Sequence, residues 1–333
     1  MVVKGLLKFP SNPSITATGV TAGPLERKST FAELFDKVYD DERCELPTNE
    51  QAHSKMMEDA CTIALDKIKI APGDTDFLLV GDLVNQMTPS NFCAATLQIP
   101  FLGMFSACAT SISTLITAAL LTELGMSECA LAGASSQHNS IERQFRYPVE
   151  YGSQKPGTSQ WTVTAAGVAA VTPFEKGFPA IICATVGRVI DLGLTDPLNM
   201  GAAMAPAAAD TLQRHLEGHG KKTADYDAII TGDLGKTGFE MYKTLAKKEE
   251  LNVWNNFRDA GSEFYGSDPL FMSGASGAGC SAAMYYTDVY AKMMKGEYNR
   301  VLLIATGALL SPLSYQQGET IPCIAHAVEL MMK

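Results

Sequence analysis

Residues 100–124, PFLGMFSACATSISTLITAALLTEL, decide how this chain folds. The first part, 101–105, is an apolar run typical of a strand, and the second part repeats apolar residues at helical spacing. Cys108 therefore lies where a predicted strand passes into a predicted helix. The first turn of a helix has free backbone N–H groups and the positive end of the helix dipole, which favour a thiolate. The position indicates either a reactive thiol or a small buried core residue, which is the common role of cysteine.

The composition limits the class of protein. Hydrophobic residues make up 46% of the 333 residues and charged residues 19%, which predicts a globular chain rather than a disordered one. A net charge of −10 disfavours nucleic acid and anionic lipid as direct partners. The uncharged run 99–122 contains too many hydroxyl side chains for a simple membrane span, and no signal peptide is visible.

Cysteine usage predicts the redox compartment. The eight cysteines show no CxxC pair and no paired Cys/His spacing, so no zinc site or other metal site is expected. In a long chain without a visible signal peptide, reduced thiols of a cytoplasmic-type soluble protein are the simplest interpretation.

The chain contains an internal repeat. DTDFLLVGDLV at 74–84 and DYDAIITGDLG at 225–235 share a D-x-D lead, an apolar run and Gly-Asp-Leu in register. The repeat predicts two similar α/β halves, residues 1–174 and 175–333, each built around a mixed sheet. A ligand pocket is expected where the halves meet, with Cys108 on one side and the Gly/Ser-rich turn 273–280 on the other.

Local patterns predict the main elements. Apolar spacing predicts short and long helices, and Thr48 with Gln51 indicates a capping box at the start of the long one. The predicted helices are 30–39, 49–69, 88–97, 202–216 and 281–294, and the predicted strands are 14–20, 76–81, 129–133, 161–172, 179–190, 300–306 and 321–330.

Residues 106–111, SACATS, in a duplicated α/β chain resemble the nucleophile motif of the thiolase superfamily, which includes thiolases and ketoacyl synthases. The resemblance implies a five-layer αβαβα fold with two mixed central sheets and puts Cys108 at the nucleophile position. Cys323, in IPCIAHA, resembles the second thiolase cysteine. Ala325 and His326 stand where the thiolase pattern has glycines.

Four longer runs are similar to one family of this superfamily, the stage V sporulation protein AD (SpoVAD) family. They are 23–44, 142–158, 184–211 and 302–328. The resemblance implies a protein that binds dipicolinic acid, possibly with calcium, during spore loading and needs no cofactor. It also implies attachment to the spore inner membrane through SpoVA membrane proteins. By analogy with the superfamily, a homodimer is expected in which the strand at 100–106 pairs with its twin.

The expected catalytic histidines are missing from their positions. A condensing enzyme needs histidine beside the thiol, and the ketoacyl synthase position reads Asp233 here, whereas the thiolase position falls in 270–272, LFM. A carboxylate next to Cys108 raises the pKa of the thiol. The main hypothesis is therefore non-catalytic dipicolinate binding. The alternatives are a cysteine-dependent acyltransferase or condensing enzyme, with His326 or Asp233 as base, and a scaffold with a vestigial pocket.

Recognition of a flat dicarboxylate needs cationic donors beside an aromatic slot. The charged and aromatic insert 134–157 offers three cations, and another matching run offers a fourth. The candidate ligand-binding residues are Cys108, Arg143, Arg146, Lys155, Arg188, Ser276 and His326. The alternative for the insert is a surface loop held by salt bridges to Glu142, Glu150 and Asp191.

Overall fold

The computed structural model describes residues 4–144, 155–249, 251 and 256–333. Within them the strands are β1 Leu6–Lys8, β2 Ser14–Ala22, β3 Lys37–Val38, β4 Phe77–Gly81, β5 Phe101–Gly103, β6 Ala130–Ser136, β7 Trp161–Thr162, β8 Ala165–Thr172, β9 Pro179–Thr185, β10 Ala228–Thr231, β11 Phe257–Asp259, β12 Ala275–Ser276, β13 Arg300–Ala308 and β14 Cys323–Met332. The α-helices are α1 Asn49–Ile68, α2 Thr88–Leu97, α3 Thr110–Glu123, α4 His138–Glu142, α5 Met200–His219, α6 Gly235–Lys248, α7 Ala260–Glu263, α8 Ala278–Met284, α9 Tyr290–Met294 and α10 Pro312–Gln316. A π-helical turn, Tyr285–Val289, joins α8 to α9.

Two sheets, joined along one edge, have the same order of five main strands, and the short strands β3 and β1 pair with β2 and β9. One runs β5-β4-β6-β8-β2 and the other β11-β10-β13-β14-β9. In each, the first three strands are parallel and the last two join by antiparallel pairing. The sheets meet edge to edge where Ser14 of β2 pairs with Ala180 of β9. The matching order confirms the two mixed sheets that the repeat predicts.

The helices form three layers around these sheets. Helix α1 covers one outer face, against β2 and β8, with α2 beside it on β4 and β5. Helix α5 covers the other outer face, against β13 and β14, and α6 packs on α5. Helices α3 and α8 lie between the sheets, where the hydroxyls of Ser111 and Ser281 are 2.8 Å apart. Tyr285, just after α8, donates a hydrogen bond to the Ile230 carbonyl of β10 (3.2 Å). The result is the predicted αβαβα architecture.

The central position of α3 explains why its sequence carries no charge before Glu123. A helix that is apolar on all sides belongs in the interior of a large domain or in a membrane. The hydroxyls of Thr114 and Thr117 donate to carbonyls one turn earlier, at 2.9 and 3.0 Å, so their polarity is satisfied inside the helix. Among the described residues, every helix is too short or too polar to cross a lipid bilayer.

The helix predicted at 30–39 is wrong. This segment contains a short 3₁₀ turn, Ala32–Leu34, followed by β3, which pairs in parallel with β2. The apolar spacing arises because Phe31 and Phe35 both pack on Phe264, with ring centroids 5.8 and 6.2 Å away. The proposed division at 174/175 falls between the end of β8 and the start of β9 and stays a prediction.

The contact between α1 and β2 depends on a glycine. A Cβ at Gly19 would lie 2.0 Å from the Ala60 carbonyl oxygen and 2.8 Å from the Ala64 nitrogen. Both atoms belong to the α1 backbone, so rotation of a side chain cannot relieve the overlap. We predict that Gly19→Ala lowers the free energy of unfolding by about 3 kcal/mol. Chemical denaturation measures the change.

Gly73→Ala is the matched control, because a Cβ at Gly73 meets nothing within 4 Å. Equal stability of the two variants would contradict this account of how α1 approaches the sheet.

Candidate functional site

A tight turn places Cys108 two residues before the start of α3. Ala107 in this turn has a left-handed backbone with φ of 49°, which is uncommon for a residue other than glycine. The Thr110 hydroxyl donates to the Ala107 carbonyl (2.6 Å) and accepts from the Ser106 N–H (3.1 Å). A Cβ at Gly307 of β13 would lie 2.4 Å from the Ser106 carbonyl oxygen, so a glycine there lets β13 pass close to the turn.

Asp233 lies next to the Cys108 thiol. This carboxyl group is fully buried after β10, where it accepts hydrogen bonds from the Thr306 hydroxyl (2.8 Å) and the Gly277 N–H (3.0 Å). Burial raises the pKa of Asp233 to about 6. Burial and the hydrogen-bonded Asp233 carboxylate raise the pKa of the Cys108 thiol well above its usual range, as the sequence predicts, and the Gly277 N–H only partly offsets this.

Cys108 opens onto a pocket of about 350 Å³ between the two halves of the chain. Most of its lining is apolar, with a few polar groups. The lining residues are Leu83, Phe105, Ala107, Cys108, Ile141, Glu142, Lys155, Ser159, Gln160, Thr162, Pro197, Leu198, Met200, Ser276, Gly277, Ala308, Leu310 and Tyr315. The structure thus brings the Cys108 turn and the Gly/Ser-rich turn to one cavity, as predicted.

None of the five histidines lines this pocket, although all five lie within the described residues. His326 accepts a hydrogen bond from the Gly187 N–H (3.1 Å), and burial lowers its pKa to about 4. Cys323 donates to the Ile321 carbonyl (3.4 Å) and packs in the apolar cluster under α5. The second thiolase-like cysteine and its histidine neighbour therefore do not meet Cys108 in the pocket.

His138 lies behind the pocket wall. Its ring stacks on Trp161, with centroids 4.2 Å apart, and its Nδ1 is 3.2 Å from the Thr162 carbonyl oxygen. The arrangement orients Thr162, which lines the pocket.

Lys155 supplies positive charge to the pocket lining. Its Nζ is 3.5 Å from the Glu142 carboxylate and 5.1 Å from the centre of the Trp161 ring. The other carboxylate oxygen of Glu142 accepts a hydrogen bond from the Thr162 hydroxyl (3.3 Å). Ser276, also predicted as a ligand residue, lines the same cavity.

The predicted arginines have other positions. Arg143 pairs with Glu50 of α1 and does not line the pocket. Arg188 is exposed and holds Asp210 by a two-pronged contact, with distances of 2.6 to 3.1 Å. Arg146 lies outside the described residues. The ligand-binding roles of these arginines stay predictions.

Two buried side-chain oxygen atoms line the pocket at positions that the sequence does not indicate. The Ser159 hydroxyl and the Gln160 side-chain oxygen have no hydrogen-bond partner among the described residues. The Gln160 amide nitrogen donates to the carbonyls of Asp233 and Ala275 (2.7 Å each), which fixes the orientation of its free oxygen. Unsatisfied buried acceptors are costly, so they indicate a site for a ligand donor or cation. No motif marks either residue in the sequence.

The electrostatic suppression of Cys108 is testable. Thiol alkylation proceeds through the thiolate, and Asp233→Asn removes the carboxylate that opposes its formation. We predict that iodoacetamide modifies Cys108 about tenfold faster in Asp233→Asn than in the wild type at pH 8, which corresponds to a pKa lower by about one unit. Peptide mass spectrometry over time gives the rate.

Asp191→Asn is the control, since Asp191 is exposed and bonded to Thr320 (2.6 Å) outside the pocket. Equal alkylation rates in Asp233→Asn and the wild type would show that the carboxylate does not control the thiol.

Solved structures of condensing enzymes share this fold. The 3-oxoacyl-[acyl-carrier-protein] synthase III of Aquifex aeolicus VF5 superimposes with a TM-score of 0.60 at 14% identity, over 96% of this chain and 100% of that one. The human mitochondrial 3-ketoacyl-CoA thiolase, solved with CoA, superimposes with a TM-score of 0.57 at 11% identity, over 97% of this chain and 98% of that one. At these identities the likeness concerns the fold alone.

Comparison of sequences identifies the family more specifically than comparison of structures does. The family model described as stage V sporulation protein AD (SpoVAD) matches residues 4–331. The stage V sporulation protein AD of Bacillus subtilis (strain 168) is 45% identical over 314 residues, which cover 94% of this chain and 93% of the relative. The chain therefore belongs to the stage V sporulation protein AD family, whose thiolase-like fold is described above.

Proposed function

We propose that this chain is a non-catalytic binding protein for dipicolinate, taken up with calcium by the SpoVA machinery during sporulation. Family membership supports the role in sporulation. One observation carries the non-catalytic part of the proposal. Asp233 opposes ionisation of Cys108, the residue at the superfamily nucleophile position, and no histidine lines the pocket in the part of the chain that the structure describes.

The pocket suits a small planar ligand. Its volume of about 350 Å³ lies in the range of roughly 300–1,000 Å³ that small-molecule sites occupy. Phe105, Leu198, Leu310 and Tyr315 provide apolar and aromatic walls for a pyridine ring. Lys155 provides a cation for one ligand carboxylate.

The charges of the pocket favour the neutral complex of calcium with dipicolinate over the free dipicolinate dianion. Lys155 and Glu142 both line the cavity and carry opposite charges. Calcium prefers six to eight oxygen ligands, which dipicolinate alone does not fill. Glu142, Ser159 and Gln160 add oxygen atoms on one side of the cavity, and two of these residues have an acceptor without a partner among the described residues. We therefore expect calcium to strengthen dipicolinate binding.

Calorimetric titration with dipicolinate, with and without calcium, tests the proposal. We predict that Lys155→Met raises the dissociation constant about tenfold or more, because it removes a charge-assisted hydrogen bond to the ligand. Lys243→Met is the matched control, since Lys243 pairs with Glu240 on α6 and does not line the pocket. Its affinity should equal that of the wild type.

Absence of binding heat in both conditions would overturn the proposal. The acyltransferase alternative then has a direct assay, in which the protein is incubated with acyl-CoA and its intact mass is measured. A stable acyl adduct that disappears in Cys108→Ala would favour that alternative.

We further propose that the chain forms a homodimer through the edge of the first sheet and reaches the membrane through SpoVA partners. Strand β5 is the outermost strand of this sheet. Large apolar side chains near it are exposed, with Phe92 at 65%, Leu102 at 50% and Phe105 at 53%. An exposed apolar edge strand favours pairing with another chain.

Light scattering after size exclusion tests the dimer. We predict that Leu102→Lys converts the dimer to a monomer, because a lysine on an edge strand opposes strand pairing. Leu192→Lys is the control, since Leu192 is 67% exposed in another part of the chain. A monomeric wild type, or a dimer that survives Leu102→Lys, would contradict this proposal.

A further inference from the structure

Four metal-ligating side chains converge on the outer face of the second sheet. His215 and His219 lie one turn apart on α5, Cys183 lies on β9 and Glu329 on β14. In the sheet, Cys183 and Glu329 are directly opposite each other on antiparallel strands. Helix α5 packs over this pair, so residues far apart in the chain form one cluster.

The sequence indicates two of these four residues, the histidines. Residues 215–219, HLEGH, have two histidines at i and i+4, which share one face of a helix. No CxxC pair and no paired Cys/His spacing marks this cluster, so the sequence alone predicts no metal site. The cysteine and the glutamate come from other strands, so their proximity appears only in the fold.

The distances suit a compact site. One ligand atom each from Cys183, His215 and His219 lies within 4.8 Å of the other two. The Glu329 carboxylate is 3.6 Å from the Cys183 sulfur and 3.8 Å from Nε2 of His215. The ligand atoms of Cys183, His215 and His219 thus lie around one point, with the Glu329 carboxylate beside Cys183 and His215.

We propose that Cys183, His215, His219 and Glu329 form a binding site for a zinc-like divalent cation. A thiolate, two imidazoles and a carboxylate make a four-coordinate set that Zn²⁺ accepts. The thiolate disfavours calcium and magnesium, which prefer oxygen ligands. This site therefore differs in chemistry from the calcium that is proposed to accompany dipicolinate.

An ion would bind this cluster as a carboxylate, two neutral imidazoles and a thiolate. Binding must therefore displace the thiol proton of Cys183 to solvent.

A closed hydrogen-bond network is the competing explanation. The Tyr226 hydroxyl donates to Glu329 (2.9 Å) and lies 3.1 Å from Nε2 of His215, and Thr185 lies 2.9 Å from Nδ1 of His215. Two atoms beside the network have no hydrogen-bond partner among the described residues, Oε1 of Glu329 and Nε of Arg300, and they form an ion pair at 3.4 Å. A cation at the cluster would instead be held by Oε2 of Glu329, the oxygen that lies near Cys183 and His215.

Zinc binding to the chelator-treated full chain tests the proposal. We expect one zinc per chain by calorimetry, a higher melting temperature with zinc and release of protons on binding. Cys183→Ser and His219→Gln should each weaken binding about tenfold or more. His219 is only half-buried, so its variant remains informative if Cys183→Ser fails to fold. Cobalt in place of zinc should show thiolate-to-metal absorption that Cys183→Ser loses.

Cys44→Ser is the matched control, because Cys44 is a more exposed cysteine outside the cluster. Zinc affinity that is unchanged in His219→Gln, or that disappears in Cys44→Ser, would overturn the assignment. Failure of the wild type to bind zinc, or equal binding of calcium, would also overturn it. None of these outcomes depends on dipicolinate.

Discussion

Enclosure of α3 and α8 between two sheets is the constraint on which the rest of the structure depends. Both helices have buried residues on nearly every side, so each needs an apolar surface above and below. Glycine makes this possible on one face, because a Cβ at Gly167 of β8 would lie 2.8 Å from the Ala282 backbone of α8. The central layer in turn fixes the turn that carries Cys108 and the Gly/Ser-rich turn that faces it.

The chemistry of the site follows from which group that layer places beside the thiol. Gly-Asp-Leu occurs once in each half, but the two aspartates do different work. Asp82 accepts from the Val84 N–H (2.8 Å) and the Ser90 N–H (2.9 Å) and thereby holds the start of α2. Asp233 instead faces Cys108, where its negative charge opposes ionisation of the thiol. The same position of the repeat thus stabilises a helix start in the first half and suppresses the reactivity of the Cys108 thiol in the second.

The sequence predicts the architecture well because the repeat and the apolar periods carry it. The register of residues 74–84 with 225–235 is sufficient for two equivalent sheets and for the placement of Asp233. The ion-pair and hydrogen-bond partners of long side chains cannot be predicted from neighbouring residues in the sequence. Arg188 pairs with Asp210 on α5, whereas Asp191, its near neighbour in sequence, bonds to Thr320. Ser159 and Gln160 belong to no motif, and only the folded chain shows their free acceptors.

The shared central layer also has a consequence for biosynthesis. The ribosome completes β8 before it begins β9, so α3 emerges with one sheet and lacks the strands β13 and β14 that cover its other side. Until the second half is complete, the face of α3 that β13 and β14 later cover is an exposed, largely apolar surface, which favours association with other chains. Completion of the second half buries this surface.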